Sequence, residues 1–419
     1  MKIIPLFQKL LQYKTITPKD EGIYDFIDDY LGDTWECIIY DVEEVTNRFY
    51  YKKFNDSDEH LCFAGHIDVV PTGEGWSVDP FTAEVIDGVI TARGAQDMKS
   101  GVASFLYACK NATDFNGTLS ILLTSDEEGE GIHGTVKVLE YLKEKNFLPN
   151  AAIVAEPTCE EVFGDAIKVG RRGSINGYFE LKGKQGHAAY PEKAINPVHK
   201  IAPILPQIAG FNLDNGDEFF SPSKFVVTDI RSGMEVTNVT PNKLNMMFNV
   251  RNSTKTNQET IKDFIATKFD GLDYTLKLTQ GSYPFVTDSS TNVVKNMQKS
   301  ILEVCNIETK LSTAGGTSDA RYFGQFKIDT VEFGVINDTI HAIDERVHIK
   351  EVEKLTEVFA LPEVDFTSTQ YCFGTLTSFS DFSSDTCAAV ANVVVLNAIR
   401  PLESSANVTL LGLKFNIEC

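Results

Sequence analysis

No stretch of this chain approaches the ~20 consecutive apolar residues needed to cross a bilayer. No CxxC pair occurs among the eight cysteines, which lie scattered at 37, 62, 109, 159, 305, 372, 387 and 419. Neither a disulfide framework nor a thiolate zinc site is therefore indicated, and the cysteines read as reduced, mostly buried thiols. Basic residues are in short supply: 38 Lys and Arg stand against 59 Asp and Glu, a formal charge of −21. That deficit argues against nucleic acid and anionic membrane surfaces as partners. An anionic small substrate would need a local basic patch or a metal. The opening MKIIPLFQKLLQYK sets apolar residues at 3, 4, 6, 7, 10 and 11 among polar ones, an amphipathic helix and not a signal peptide, so the expected location is the cytoplasm.

With 419 residues, 42% of them hydrophobic and 23% charged, the chain exceeds what one core normally organises. Strand-like and helix-like runs alternate at first: HLCFAG, GVASFLYACKNA, TLSILLTS, GTVKVLEYLKEK, AAIVAE. This is the order of an α/β domain on a mostly parallel sheet. From about residue 176 the rhythm changes. SINGYFELKG, INPVHKIAPILPQIAGF, KFVVTDI, KLNMMFNV, NQETIKDFIATKF and DYTLKLT read as β-α-β-β-α-β, the ferredoxin-like order. After about 288, VVKNMQKSILEVC and VEFGV resume the first pattern. The expected organisation is a discontinuous α/β domain (1–175 and 288–360) with an α+β domain inserted at 176–287. Residues 361–419, rich in Ser, Thr and Cys and without a sustained period, form an atypical extension with no functional reading.

In open α/β sheets ligands bind beyond the carboxyl ends of the strands. His66 and Asp68 follow LCFAG, the triplet Asp126, Glu127, Glu128 follows SILLTS, Glu156 follows AAIVA, His341 lies just after VEFGV, and Asp97 opens a helix. Taken singly each has an ordinary explanation: a structural histidine, an N-cap aspartate, a solvated acidic turn. Their convergence on one sheet edge outweighs those explanations. Two histidines and three carboxylates suit a pair of zinc ions with one carboxylate bridging, and two dications offset three carboxylates and a hydroxide. Glu127 and Glu128 cannot both face one metal without strain, so one ligates and the other handles the proton of an activated water. Asp68 is placed to accept a hydrogen bond from the ring nitrogen of His66 that faces away from metal.

GHIDVVP, RGAQDMKSG, TSDEEG, VAEPT and TIH, in this order and spacing, resemble the co-catalytic zinc amidohydrolases and exopeptidases, a family that includes aminoacylases, glutamate carboxypeptidases, acetylornithine deacetylase and succinyl-diaminopimelate desuccinylase. The resemblance covers roughly residues 1–360. It implies that His66, Asp97 and Glu156 hold one zinc, that Asp97, Glu128 and His341 hold the other, that Glu127 is the general base, and that cobalt can replace zinc at one site. Glu156, where relatives carry Glu or Asp, looks like the acylase and carboxypeptidase branch. WSVDPF, GRRGSI, GHAAYP, GGTSDAR and INDTIH narrow the resemblance to the desuccinylases, which implies a substrate with three carboxylates and one ammonium and a place in bacterial lysine and diaminopimelate synthesis. Arg171 and Arg251 are then the carboxylate clamps, with Ser174, Tyr190, Asn238, Gly316, Thr317 and Asn337 as further contacts. Read without the resemblance, Arg171 and Arg172 would be a surface basic pair. His187, otherwise an ordinary loop histidine, is implied to cross a homodimer interface and stabilise an oxyanion in the partner's site. His60, His133, His199 and His348 are assigned no chemistry. Gln96 stands where the family has a small residue, a departure large enough to crowd the metal loop but one that removes no ligand. Two rivals remain: a sister N-acyl amino acid hydrolase such as an acetylornithine deacetylase, which the pocket stretches disfavour, and a non-catalytic metal-dependent binding protein, which would have lost the base or a ligand.

Overall fold

The computed structural model describes residues 1–360 and, beyond them, only the backbone of strands Ser405–Leu410 and Leu413–Glu418, which pair antiparallel. The extension expected at 361–419 otherwise lies outside the described residues. No helix among the described residues is long and apolar enough to cross a membrane.

The larger sheet has eight strands in the order Glu36–Ile39, Asn47–Lys53, Thr118–Thr124, His60–His66, Ala151–Val154, Asp329–Glu332, Ala166–Lys168, Lys310–Ser312. The four central strands from Thr118–Thr124 to Asp329–Glu332 run parallel, so their carboxyl ends share one edge. Side chains alternate between two cores, as period-2 geometry requires. Leu61, Phe63, Leu119, Ile121 and Ile153 face helices Ile3–Leu11, Lys99–Asn111, Asn292–Cys305 and Ile349–Phe359. Cys62, Ala64, Leu122, Ala152 and Val154 face Thr135–Glu144 and Ala320–Gln325. Strands buried on both faces explain why HLCFAG and LSILLTS read as unbroken apolar runs.

The inserted unit is an antiparallel sheet ordered Lys224–Ser232, Lys243–Asn252, Gly173–Lys182, Tyr274–Ser282, with a separate core that includes Ile175, Phe179, Phe225, Phe248, Ile261 and Ile265. Its first strand starts at Gly173, paired with Asn252, so the boundary expected at 176 falls inside a strand. The segment read as one helix over INPVHKIAPILPQIAGF is two short ones, Pro197–Ile201 and Leu205–Ile208. Pro203 and Pro206 each lack the N–H that a continuous helix would use. Both connections to the larger unit meet: Phe285 pairs with Arg171 and Val286 with Gly170.

One core group makes the fold sensitive to acid. His60 is buried with Nε2 2.8 Å from the Ser120 hydroxyl, and burial lowers its pKa to about 4. The unfolded chain, at the ordinary value near 6.5, binds a proton that the folded chain refuses, so stability is full above pH ~6.5 and is lost as pH falls toward the folded value. The maximum slope is about 1.4 kcal/mol per pH unit. His60→Gln removes this slope. Urea midpoints of wild type and variant measured from pH 7 to 4 should diverge in slope; parallel profiles would refute the assignment.

Candidate metal centre

His66 is the last residue of its strand, Glu127 and Glu128 lie just past Thr118–Thr124, Glu156 is two residues past Ala151–Val154, and His341 is in the loop beyond Asp329–Glu332. Asp97 lies two residues before helix Lys99–Asn111. That helix approaches the sheet edge closely because it carries Gly101: a Cβ there would sit 2.2 Å from the carbonyl oxygen of Ala155. The close approach brings Asp97 toward Glu156.

All five expected ligands converge. Asp97 presents Oδ1 to His66 Nε2 at 3.1 Å and Oδ2 to His341 Nε2 at 3.3 Å. Glu128 Oε1 is 2.9 Å from His341 Nε2, and Glu156 Oε1 is 3.9 Å from His66 Nε2. A tetrahedral zinc with bonds of about 2.0–2.1 Å sets its ligands roughly 3.3 Å apart. The separations therefore fit two ions sharing Asp97, one with His66 and Glu156, the other with Glu128 and His341.

The electrostatics fit as well. Burial pushes the Glu127 carboxyl well above the carboxylate range, Asp319, Asp97 and Glu128 adding to it against His66. Burial and the charge of Asp97 do the same to Glu156. Burial opposes a charged His66, yet the Asp97 hydrogen bond and the charges of Asp68, Glu156 and Glu127 raise it well above the imidazole range. Hydrogen bonds to Asp97 and Glu128 raise His341 to about 10. Asp97 is desolvated too, but hydrogen bonds with both histidines hold it low. The crowding of carboxylates thus disfavours negative charge on both glutamates and favours positive charge on both histidines, a repulsion that divalent cations would relieve.

Around these groups lies a layer that sequence reading caught only in part. The closer partner of His66 Nδ1 is the main-chain carbonyl of Asp68 at 2.9 Å; the Asp68 carboxylate, at 3.5 Å, is secondary. This corrects the role expected for that side chain. The carboxylate instead accepts the main-chain N–H groups of Glu127 at 3.4 Å and Glu128 at 3.1 Å, setting the turn that separates the two glutamates. Asp126 accepts the N–H of His133 at 2.9 Å, so the third acidic residue organises the loop. Glu345, fully buried, went unnoticed in the sequence. Its carboxylate accepts N–H groups of Gly94, Gln96 and Asp97 at 3.1, 2.8 and 3.1 Å and pairs with buried Arg93 at 2.7 Å. Arg93 in turn donates to the carbonyls of Ala342 at 3.2 Å and Thr72 at 3.2 Å. The only sequence signal was spacing, Arg93 four residues before Asp97 and Glu345 four after His341.

Gln96 does not crowd the metal loop. It is buried and turned away from the ligands, Nε2 donating to Asp338 Oδ1 at 2.6 Å and Oε1 accepting from the N–H and hydroxyl of Thr339, each at 2.9 Å.

Among the expected substrate contacts, Arg171 is buried and not part of a surface pair. Its Nε donates to Glu332 Oε2 at 2.7 Å, Nη2 also contacts that carboxylate, and Nη1 donates to the Ala314 carbonyl at 3.1 Å. Among the described residues, an N–H on each terminal nitrogen is left over. Gly315, at φ +109°, lies over the guanidinium, where a Cβ would sit 2.4 Å from Nη1. Gly316 and Thr317 continue this loop and are exposed. Arg251, also exposed, is paired in register with Ser174, whose hydroxyl accepts from Asn249 at 3.0 Å. Asn337 donates its N–H to the Cys159 carbonyl at 3.1 Å. His187, Tyr190 and Asn238 cluster on the inserted unit: the rings of the first two are 5.8 Å apart, and the Asn238 carbonyl accepts the Ala188 N–H at 2.9 Å. Among the described residues, none of these three hydrogen-bonds to the five converging side chains.

A succinyl-diaminopimelate desuccinylase of Aliarcobacter butzleri is 70% identical to this chain over 359 residues, 86% of this chain and 98% of the relative. One from Sulfurimonas denitrificans is 64% identical over the same shares. Among solved structures, Bacillus subtilis YXEP, a dinuclear metal binding peptidase from the M20 family, matches with TM-score 0.64 at 15% identity, covering 85% of this chain and 95% of that one. The profile of peptidase family M20/M25/M40 matches residues 62–361. The chain belongs to that family of hydrolases.

Proposed function

We propose that the chain hydrolyses N-succinyl-LL-2,6-diaminopimelate to succinate and LL-2,6-diaminopimelate in the cytoplasm, supplying lysine biosynthesis. The carrying observation is Asp97, one oxygen toward each histidine, beside Glu127 in a chain 70% identical to a desuccinylase. His66, Asp97 and Glu156 would hold one divalent ion and Asp97, Glu128 and His341 the other, zinc at both with cobalt able to replace it at one. Bound there, the ions supply positive charge that polarises the amide carbonyl and acidifies water.

Glu127 takes the proton from the attacking water and returns it to the departing amine as the C–N bond breaks and a C–O bond forms. Its side chain is free to do so, with no hydrogen bond among the described residues, while Asp68 fixes its main chain. Arg251 and the open edge of Arg171 meet substrate carboxylates, with Ser174, Tyr190, Asn238, Gly316, Thr317 and Asn337 as neighbouring contacts.

The inserted unit, taken as 176–287, serves as lid and dimerisation domain. Its sheet leaves Tyr178, Val226, Ile230 and Met247 exposed, apolar surface that a second copy would cover. Across that interface His187 donates to the developing oxyanion in the partner's site.

The test compares N-succinyl-LL-diaminopimelate with N-acetylornithine in one zinc-loaded preparation, whose mass is read by sedimentation. The proposal predicts turnover of the succinyl compound alone by a dimer. Preference for the acetyl compound would overturn the substrate, and an active monomer would overturn the role of His187.

A further inference from the structure

The two histidines of the metal centre are held in different ways. His66 is buried at the end of a central strand, and its ring is fixed from behind by the Asp68 carbonyl, 2.9 Å from Nδ1. His341 is half exposed on a loop, at φ +59°, and its Nδ1 has no partner among the described residues. A non-glycine residue is disfavoured in this left-handed region, so the surrounding contacts hold the backbone there. The loop that carries it is tied down from across the site by two side chains: Arg93 donates to the carbonyls of His341 at 3.5 Å and Ala342 at 3.2 Å and holds the backbone there, while Gln96 holds the stretch ahead of it. Gln96 makes three hydrogen bonds to Asp338 and Thr339, the residues just ahead of His341. Its own N–H is fixed by Glu345 at 2.8 Å, and its neighbour along the chain is Asp97.

Resting on the metal reading above, we propose that Gln96 is a positioning residue that couples the His341 loop to the Asp97 loop and thereby sets the affinity of the ion held by Glu128 and His341. Any side chain too short to span the gap leaves the Thr339 N–H and the Asp338 carboxylate without these partners, and the stretch ahead of His341 loosens, so that the imidazole is held less firmly in place. The ion held by His66 and Glu156 depends on a ring anchored independently, so it is spared. The amide suits this bridge because it donates to a carboxylate and accepts from an N–H and a hydroxyl at once.

The test is calorimetric titration of chelated full-length protein with zinc, for wild type, Gln96→Ala and Gln96→Glu. Wild type binds two ions. Gln96→Ala binds the first with affinity within about 3-fold of wild type and the second about 10- to 100-fold more weakly, the range seen when groups that orient metal ligands are removed. Gln96→Glu keeps the acceptor toward Thr339 but faces Asp338 with a second carboxylate, and falls between the two. Circular dichroism confirms folding, and Gln96→Glu carries the test should the alanine variant fail to fold. Two wild-type affinities in a folded variant, or equal weakening of both ions, overturns the inference. A wild type that binds fewer than two ions overturns the metal reading, and the inference with it.

Discussion

Replacing Glu127 by Gln is expected to lower kcat for the succinyl amide by about 100- to 10,000-fold while both metal ions stay bound. The variant keeps the shape and polarity of the side chain but cannot carry a proton. Among the described residues Glu127 pairs with neither histidine ring and its carboxyl makes no hydrogen bond, whereas Glu128 lies 2.9 Å from His341. Its main chain is fixed through Asp68, so the substitution should leave the turn, and with it Glu128, in place. Stopped assays combined with metal content by elemental analysis check both halves. A variant with near-normal turnover would remove Glu127 from the proton path, and one that lost a metal would make it a ligand.

Glu345→Gln is expected to be the most damaging change outside the ligands, costing about 3–5 kcal/mol. The cause is local. Gly94, Gln96, Asp97 and Arg93 all donate to this carboxylate, and an amide would turn an NH2 donor toward N–H donors while leaving buried Arg93 without a counter-charge. Because those three amides shape the loop that presents Asp97, metal affinity should fall with stability. Replacing both partners by apolar residues, Arg93→Met with Glu345→Leu, should cost more than Glu345→Gln alone: no charge is then buried unpaired, but the N–H groups of Gly94, Gln96 and Asp97 all lose their acceptor. Denaturation midpoints of the single and double variants check this. A Glu345→Gln midpoint equal to wild type would show that the pair does not support the loop.

The convergence of the five side chains was legible because four of them sit at places the fold defines independently of their neighbours, the carboxyl end of a parallel strand or the start of the following helix, and His341 lies in the loop beyond such a strand. His66, Glu128 and Glu156 needed only the apolar runs before them to be placed. The layer behind them was not legible, because its hydrogen bonds span large sequence separations and go mostly to main-chain groups. Nothing in RGAQDMKSG announces that Gln96 reaches Asp338, or that Glu345 gathers three amides from that stretch. Arg171 shows the same limit: an arginine in GRRGS reads as a surface cation until a buried acid, Glu332, is found against it. Asp68 was placed correctly beside His66, but two residues of separation could not tell its carbonyl from its carboxylate. In the inserted unit the alternating pattern revealed the strands. The strand read from Ser174 begins one residue earlier, and the domain boundary set at 176 fell inside it because Gly173 and Ser174, laddered to Asn252 and Arg251, carry no apolar signal.

The most direct test of the whole account is turnover of N-succinyl-LL-diaminopimelate against zinc bound per chain, starting from chelated protein. The account predicts no turnover without metal, recovery as zinc is returned, and saturation at two ions per chain. Full turnover in the chelated protein, or saturation with no more than a single ion bound at any zinc concentration, would contradict it.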